Sequence, residues 1–141
     1  MKYSYTLSPE IRSFVEFKLR TFHEDRKQLE ILKDDLIPST TPQYGPHSGG
    51  FDPERRPTEE ITERIINNRY VRQLELSVSA IQAIYDLLSE QDKELLRLKY
   101  WSGQYTPEGI ALRLHIGRTT VYERLNNILV EVARRLGYID M

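Results

Sequence analysis

The chain contains no cysteine. That excludes disulfides, thiolate metal sites and a thiol nucleophile, and it suits a cytosolic protein. No run approaches the roughly 20 apolar residues of a membrane helix, and the opening MKYSYTLSPEIRSF has no apolar core of the kind a secretory signal carries. No membrane partner is therefore expected. Histidine is scarce and dispersed. His23, His47 and His115 fall on a helix face, in a linker and in a turn, without the spacing of a metal-ligand pair. Glu59, Glu60 and Glu63 sit together in the first turn of a helix, where they favour the helix dipole rather than form a catalytic pair. The stretch GPHSGG has the glycine spacing of a phosphate loop, but Phe51 and Asp52 follow where Lys-Ser/Thr is required. A non-enzymatic protein without metal or cofactor is expected.

What the chain does have is helical periodicity. Its 141 residues suit one compact domain or two small helical units. At 39% hydrophobic and 29% charged residues it can bury a modest core. The net charge of −1 argues against a uniformly basic nucleic-acid binder, but the distribution of charge is more informative than the total. From Leu95 to Met141 seven Lys/Arg stand against four acids, a balance of +3. A basic C-terminal segment on an acidic body permits DNA binding.

The segment SPEIRSFVEFKLRTFHEDRKQLEILKDDLI predicts one long helix, with Ser8 as N-cap and Pro9 in the first helical position. Ile11, Phe14, Val15, Phe22, Leu29, Leu32 and Leu36 make its apolar stripe. Residues 38 to 57 hold five of the seven prolines and three of the seven glycines, which predicts a loop or linker. A second long helix is predicted over 58 to 88, capped by Thr58. Its stripe is Ile61, Ile65, Val71, Leu74, Val78, Ile81, Tyr85 and Leu88, and LSVSAI is a place where it could break. Ser89, followed by Asp92 three residues on, signals a short helix over 89 to 101. Gly137 ends the last helix as a C-cap. No strand is required, so the expected fold is all-α, with an N-terminal helical region over 1–88 and a C-terminal domain over 89–141. Two long apolar stripes in a small chain also predict a homo-oligomer, a dimer being favoured, through residues 8–37 and 58–88.

The stretch TPEGIALRLHIGRTTVYERL, Thr106 to Leu125, has the spacing of a helix-turn-helix. Thr106 caps the first helix, Pro107 opens it, and Ile110, Ala111 and Leu114 face inward. Ala111 is small, as two helices crossing steeply require at their contact. His115 stands in the turn where a backbone of positive φ is often needed, a region His visits more readily than most residues. Ile116 plugs the turn, Gly117 opens the second helix, and Val121 and Leu125 pack back. In such a motif the second helix, here about 117–136, enters the major groove of double-stranded DNA. Arg118, Thr119, Tyr122, Glu123 and Asn126 then project outward with Thr120 at their edge. Arg suits guanine, Asn adenine, Thr the thymine methyl and Glu the cytosine amino group. Thr106, Arg113, Arg124, Arg97 and Lys99 are the predicted phosphate contacts, which supply most of the affinity. The bland alternative is two packed helices with wet polar faces, and the aromatic cluster KYW with Tyr105 reads as core between the small helices.

The order SEQDKELLRLKYW…YTPEGIALRLHIGRTTVYERLNNILVEVARRLG is similar to region 4 of sigma-70-type factors. Over roughly residues 8 to 138 the chain resembles the RinA/ArpU-type transcriptional regulators of bacteriophages and prophages. Those join an N-terminal helix, a Pro/Gly-rich loop with GG (here HSGGF), a long TEEI-type helix and a region-4-like half. Gly109 departs from that pattern, where many region-4 relatives carry an acid. The resemblance implies an activator of late packaging and structural genes in the cytoplasm of a bacterial host, associated with the nucleoid. The same resemblance implies binding to promoter or operator DNA, and by analogy with region 4 it makes the surface beside the recognition helix a candidate contact for host RNA polymerase. Two rival readings stand beside it: a phage terminase small subunit recognising packaging DNA, and a helical adaptor that binds polymerase without touching DNA.

Overall fold

The computed structural model describes residues 5–36 and 57–140. The predicted loop over 38–57 lies outside them, apart from Pro57. Among the described residues every regular element is helical: α1 (Pro9–Arg20), α2 (Phe22–Leu36), α3 (Pro57–Leu87), α4 (Glu90–Leu96) with a π-helical turn at Arg97–Trp101, α5 (Pro107–Leu114) and α6 (Arg118–Arg135). The fold is all-α. No described helix is long and apolar enough to cross a membrane.

The single helix expected over the first segment is two. Ser8 caps α1 as anticipated, its Oγ accepting the Ile11 N–H at 3.3 Å. At Thr21 the backbone leaves helical geometry, with φ −90° and ψ 3°. The Thr21 hydroxyl donates to the Phe17 carbonyl (3.1 Å) and also lies 2.9 Å from Asp25 Oδ2. Such back-bonding to the preceding turn competes with the helical ladder and bends helices. The interruption changes which side chains are buried. Val15 and Leu19 turn inward from α1, and Phe22 and Leu29 from α2. Phe14, a member of the predicted stripe, is instead exposed and meets the Tyr138 ring edge-on at 5.2 Å. The side chain of Leu36 lies outside the described residues.

α2 runs antiparallel to α3, tied by Lys33 to Glu75 (2.8 Å) and Arg26 to Gln82 (3.5 Å). α3 is continuous through Leu76–Ile81, so LSVSAI does not break it. Its buried Ser77 satisfies its hydroxyl within the helix, 3.2 Å from the carbonyls of both Gln73 and Leu74. Val71, Leu74, Val78 and Ile81 face the core as predicted. The side chains of Thr58, Ile61 and Ile65 lie outside the described ones, and the backbone is already helical at Pro57.

α4 begins at the predicted cap, Ser89 Oγ accepting the Asp92 N–H at 3.2 Å. It ends earlier than expected. The last turn widens, and the Ser102 N–H reaches the Arg97 carbonyl at 2.6 Å, five residues back. Within that turn Leu98 and Tyr100 are buried and Trp101 packs against the core. Trp101 Nε1–H donates to the Leu19 carbonyl (2.6 Å), and the Tyr100 hydroxyl to Glu16 Oε2 (3.1 Å). The boundary drawn at residues 88–89 thus falls in the turn between α3 and α4, and one hydrophobic core runs across it. That core joins Val15, Leu19, Leu74 and Ile81 to Leu95, Ile110, Val121 and Leu129. Burying each such side chain contributes about 1.5–3 kcal/mol, so α1 and α3 are a structural base for the C-terminal helices.

Candidate nucleic-acid interface

α5 and α6 form a helix-turn-helix in which local chemistry accounts for each joint. Thr106 Oγ1 accepts the Gly109 N–H at 3.1 Å, and Pro107 occupies the first helical position where its missing N–H costs nothing. α5 stops at His115, which adopts φ 56° and ψ 42°. A single left-handed residue lets the Ala111 carbonyl accept from the N–H of both His115 and Ile116, the latter at 3.2 Å, and closes the helix end. Gly117 is the N-cap of α6 with extended backbone and no side-chain cap bond. Ile110, Ala111, Val121 and Leu125 are buried between the helices and the core, and Leu114 and Ile116 pack against it. At its far end α6 closes on Gly137, φ 83°. The Tyr138 N–H bonds to the Ala133 carbonyl (2.9 Å) and the Gly137 N–H to that of Arg134 (3.1 Å).

With the inner face buried, the first turns of α6 present Arg118, Thr119, Tyr122 and Glu123 to solvent, and Thr120 half-buried at their edge. The Arg118 side chain is 66% exposed. A carboxylate from α5 joins them. Glu108 Oε1 accepts from the Tyr122 hydroxyl at 3.3 Å and stands 3.8 Å from Arg118 Nη1. Asn126 lies further along α6, half-buried, and its Nδ2 donates to the Tyr5 carbonyl at 3.0 Å. On the same N-terminal segment Leu7 is buried in the hydrophobic core.

The predicted phosphate contacts separate into two groups. Thr106 is exposed at the start of α5, and Arg113, exposed near its end, places its guanidinium 4.2 Å from the Tyr105 ring centre. Lys99 is half-buried with its ammonium 5.6 Å from the Tyr100 ring centre. Arg97 and Arg124 are engaged within the protein instead. Arg97 binds Glu94 Oε2 (2.6 Å) and the Tyr85 hydroxyl (3.0 Å), and the bond to Glu94 holds its charge more firmly still. Arg124 points back from α6 to α4, where it meets Gln91 Oε1 and Asp92 Oδ1, the latter at 3.4 Å. The structure therefore brings together Arg118, Thr119, Thr120, Tyr122 and Glu123 on one face, places Thr106 and Arg113 at the adjoining helix, and pairs Arg97 with Glu94 and Tyr85 and Arg124 with Gln91 and Asp92.

Sequence reasoning passed over Glu108, which reads as an ordinary acid in a first helical turn. Its approach to α6 depends on the turn between the helices, and only the left-handed signal at His115 pointed that way. Away from this face, His23 packs edge-on against Trp101 at 4.6 Å. Burial first, then the charges of Arg26 and Lys27, lower its pKa below the usual histidine value. Among the described residues no group of three His, Asp or Glu is placed to hold a metal ion.

An all-helical chain with an exposed polar face at the start of the second helix of a helix-turn-helix is the class of protein this geometry defines. The chain belongs to the family described as "Protein of unknown function (DUF722)", whose model matches residues 52–134. The matched span takes in all of α3, α4 and α5 and nearly all of α6. No curated protein and no solved structure matches the chain.

Proposed function

We propose that this protein is a sequence-specific DNA-binding transcriptional activator, without enzymatic activity, of the phage late-gene type that its sequence resembles. The observation that carries the reading is the exposed Arg118–Thr119–Tyr122–Glu123 face, presented by the left-handed turn at His115. Placed in the major groove, the start of α6 offers Arg118 to guanine O6 and N7, the threonine methyls to thymine, and Glu123 to a cytosine amino group. Thr106, Arg113 and Lys99 position the pair of helices on phosphates. With Arg97 paired to Glu94 and Arg124 to Asp92, fewer cations are available to the backbone, so the salt dependence of binding is expected to be shallow. Host RNA polymerase is the natural second partner of an activator bound beside a promoter.

The test is selection of bound fragments from a random duplex library at about 150 mM salt, a stated ionic strength being essential for any DNA affinity. Wild type is expected to yield a sharp motif. Arg118→Ala is expected to weaken specific binding by about 1–3 kcal/mol and blur one position. No enrichment by wild type would move the assignment to a protein-binding adaptor. A terminase small subunit is the second reading; Ile66 and Tyr70, 59% and 49% exposed on the N-terminal half of α3, suit subunit contacts in a ring as they do in a dimer, so the number of subunits separates the two. A many-subunit ring by light scattering, with the motif mapping to a packaging site, would select it.

A further inference from the structure

We infer that Glu108 restrains the affinity of this face for DNA: its carboxylate competes with the duplex for Arg118 and Tyr122, and binding has to displace it. The inference rests on the DNA-reading role proposed above.

An acid in the first turn of α5 is favoured by the helix dipole wherever its side chain points. In this structure it points at α6, and one oxygen serves both contacts, the Tyr122 hydroxyl at 3.3 Å and Arg118 Nη1 at 3.8 Å. The side chains of Glu108 and Arg118 are 51% and 66% exposed. A pair so open to water is weak and exchanges readily. Glu108 is thus close enough to occupy the two groups and too solvated to hold them against a good competitor.

The charge of the face makes this competition consequential. Its exposed cations are Arg113 and Arg118, and its exposed acids Glu108 and Glu123. On a duplex of arbitrary sequence Arg118 gains a phosphate only by leaving Glu108, whose charge then lies next to the DNA backbone and is repelled. At a matching site two directed bonds to guanine replace the ion pair, and the Tyr122 hydroxyl exchanges one acceptor for another. Glu108 therefore penalises every sequence, the matching one included. A cost common to all sequences leaves the ratio of affinities unchanged, since specificity is a difference of binding free energies, and it keeps weak sites unoccupied.

The experiment compares wild type, Glu108→Gln, Arg118→Ala and the double variant as full chains. Dissociation constants are measured by fluorescence anisotropy for the selected motif and for a scrambled duplex of equal length, over a series of salt concentrations. Glutamine keeps the size and can still accept from Tyr122, so only the charge changes. Circular dichroism checks that each variant is folded. Glu108→Gln is expected to tighten binding to the motif and to the scrambled duplex by a similar factor, about fivefold. In the Arg118→Ala background the same change is expected to have less than about a twofold effect on either duplex. A gain of the same size in the Arg118→Ala background would make Glu108 a general surface charge and overturn the inference. Loss of motif binding on Glu108→Gln would overturn it as well, because the carboxylate would then support the bound pose rather than oppose it. If wild type binds neither duplex at low salt, the DNA-reading role itself fails, an outcome distinct from both.

Discussion

The sharpest disagreement between a sequence-based role and the folded structure concerns Arg124, and it can be decided by one substitution. Read along the sequence, Arg124 is a phosphate contact. In the folded chain its guanidinium ties α6 to α4 through Gln91 and Asp92. Charge-assisted hydrogen bonds contribute about 1.5–3 kcal/mol. Solvent competes here, since the side chains of Arg124 and Asp92 are 35% and 26% exposed, so Arg124→Ala is expected to cost about 1–2 kcal/mol. Asp92 is not stranded by the change, because it retains solvent access and stands in the first turn of α4. With a urea m-value of about 2 kcal/mol per molar, the unfolding midpoint should fall by about 0.5–1 M. The assay is urea unfolding followed by the single tryptophan, Trp101, and by far-UV circular dichroism. The salt dependence of DNA binding should be unchanged. An unmoved midpoint, together with a loss of about 1 in the slope of log affinity against log salt, would refute the structural role and return Arg124 to the phosphates.

Two further expectations test the scaffold. His115 sits in the left-handed region, so His115→Val, which puts a β-branched side chain there, should destabilise by about 1–2 kcal/mol, while His115→Gly should be neutral or stabilising by about 0.5 kcal/mol; equal melting temperatures for the two variants would refute the turn geometry. Tyr100 has its pKa raised by burial first and by the Glu16 carboxylate it bonds second, so above about pH 10 the unfolded chain releases a proton that the folded chain keeps. Stability must then fall as pH rises through that window, by about 1.4 kcal/mol per pH unit for the one group. Tyr100→Phe should remove that share of the slope, and parallel urea midpoints for wild type and variant between about pH 9 and pH 11 would count against the burial of the phenol.

The helix starts at Ser8, Ser89 and Thr106 were legible because a cap is a bond between residues three apart, and the chain carries it in one short word. The turn at His115 was legible for a related reason. Inward residues on both sides, Ile110 and Ala111 before it and Val121 and Leu125 after it, leave the intervening backbone little choice, and His tolerates the positive φ that results. The interruption at Thr21 was not legible, because the periodicity of Ile11, Phe14 and Val15 continues plausibly into Phe22. What decides the matter is the side on which the core lies, and that exchanges Phe14 for Leu19. The widened turn at Arg97–Trp101 is hidden in the same way, since it aims Trp101 at a carbonyl on α1 eighty-two residues away.

The sequence alone determined the all-helical class, most helix ends, the inward residues of the helix-turn-helix and the outward direction of Arg118, Thr119 and Tyr122. These follow from spacing and from hydrogen bonds that reach no further than one turn. Only the tertiary structure decided which charges stay available. Arg118 and Arg124 lie on the same helix and differ in what stands opposite on another element, Glu108 for the first and Gln91 and Asp92 for the second. An ion pair depends on a distance of a few ångströms in space, and for Arg124 that distance is closed by folding across thirty-two residues of chain.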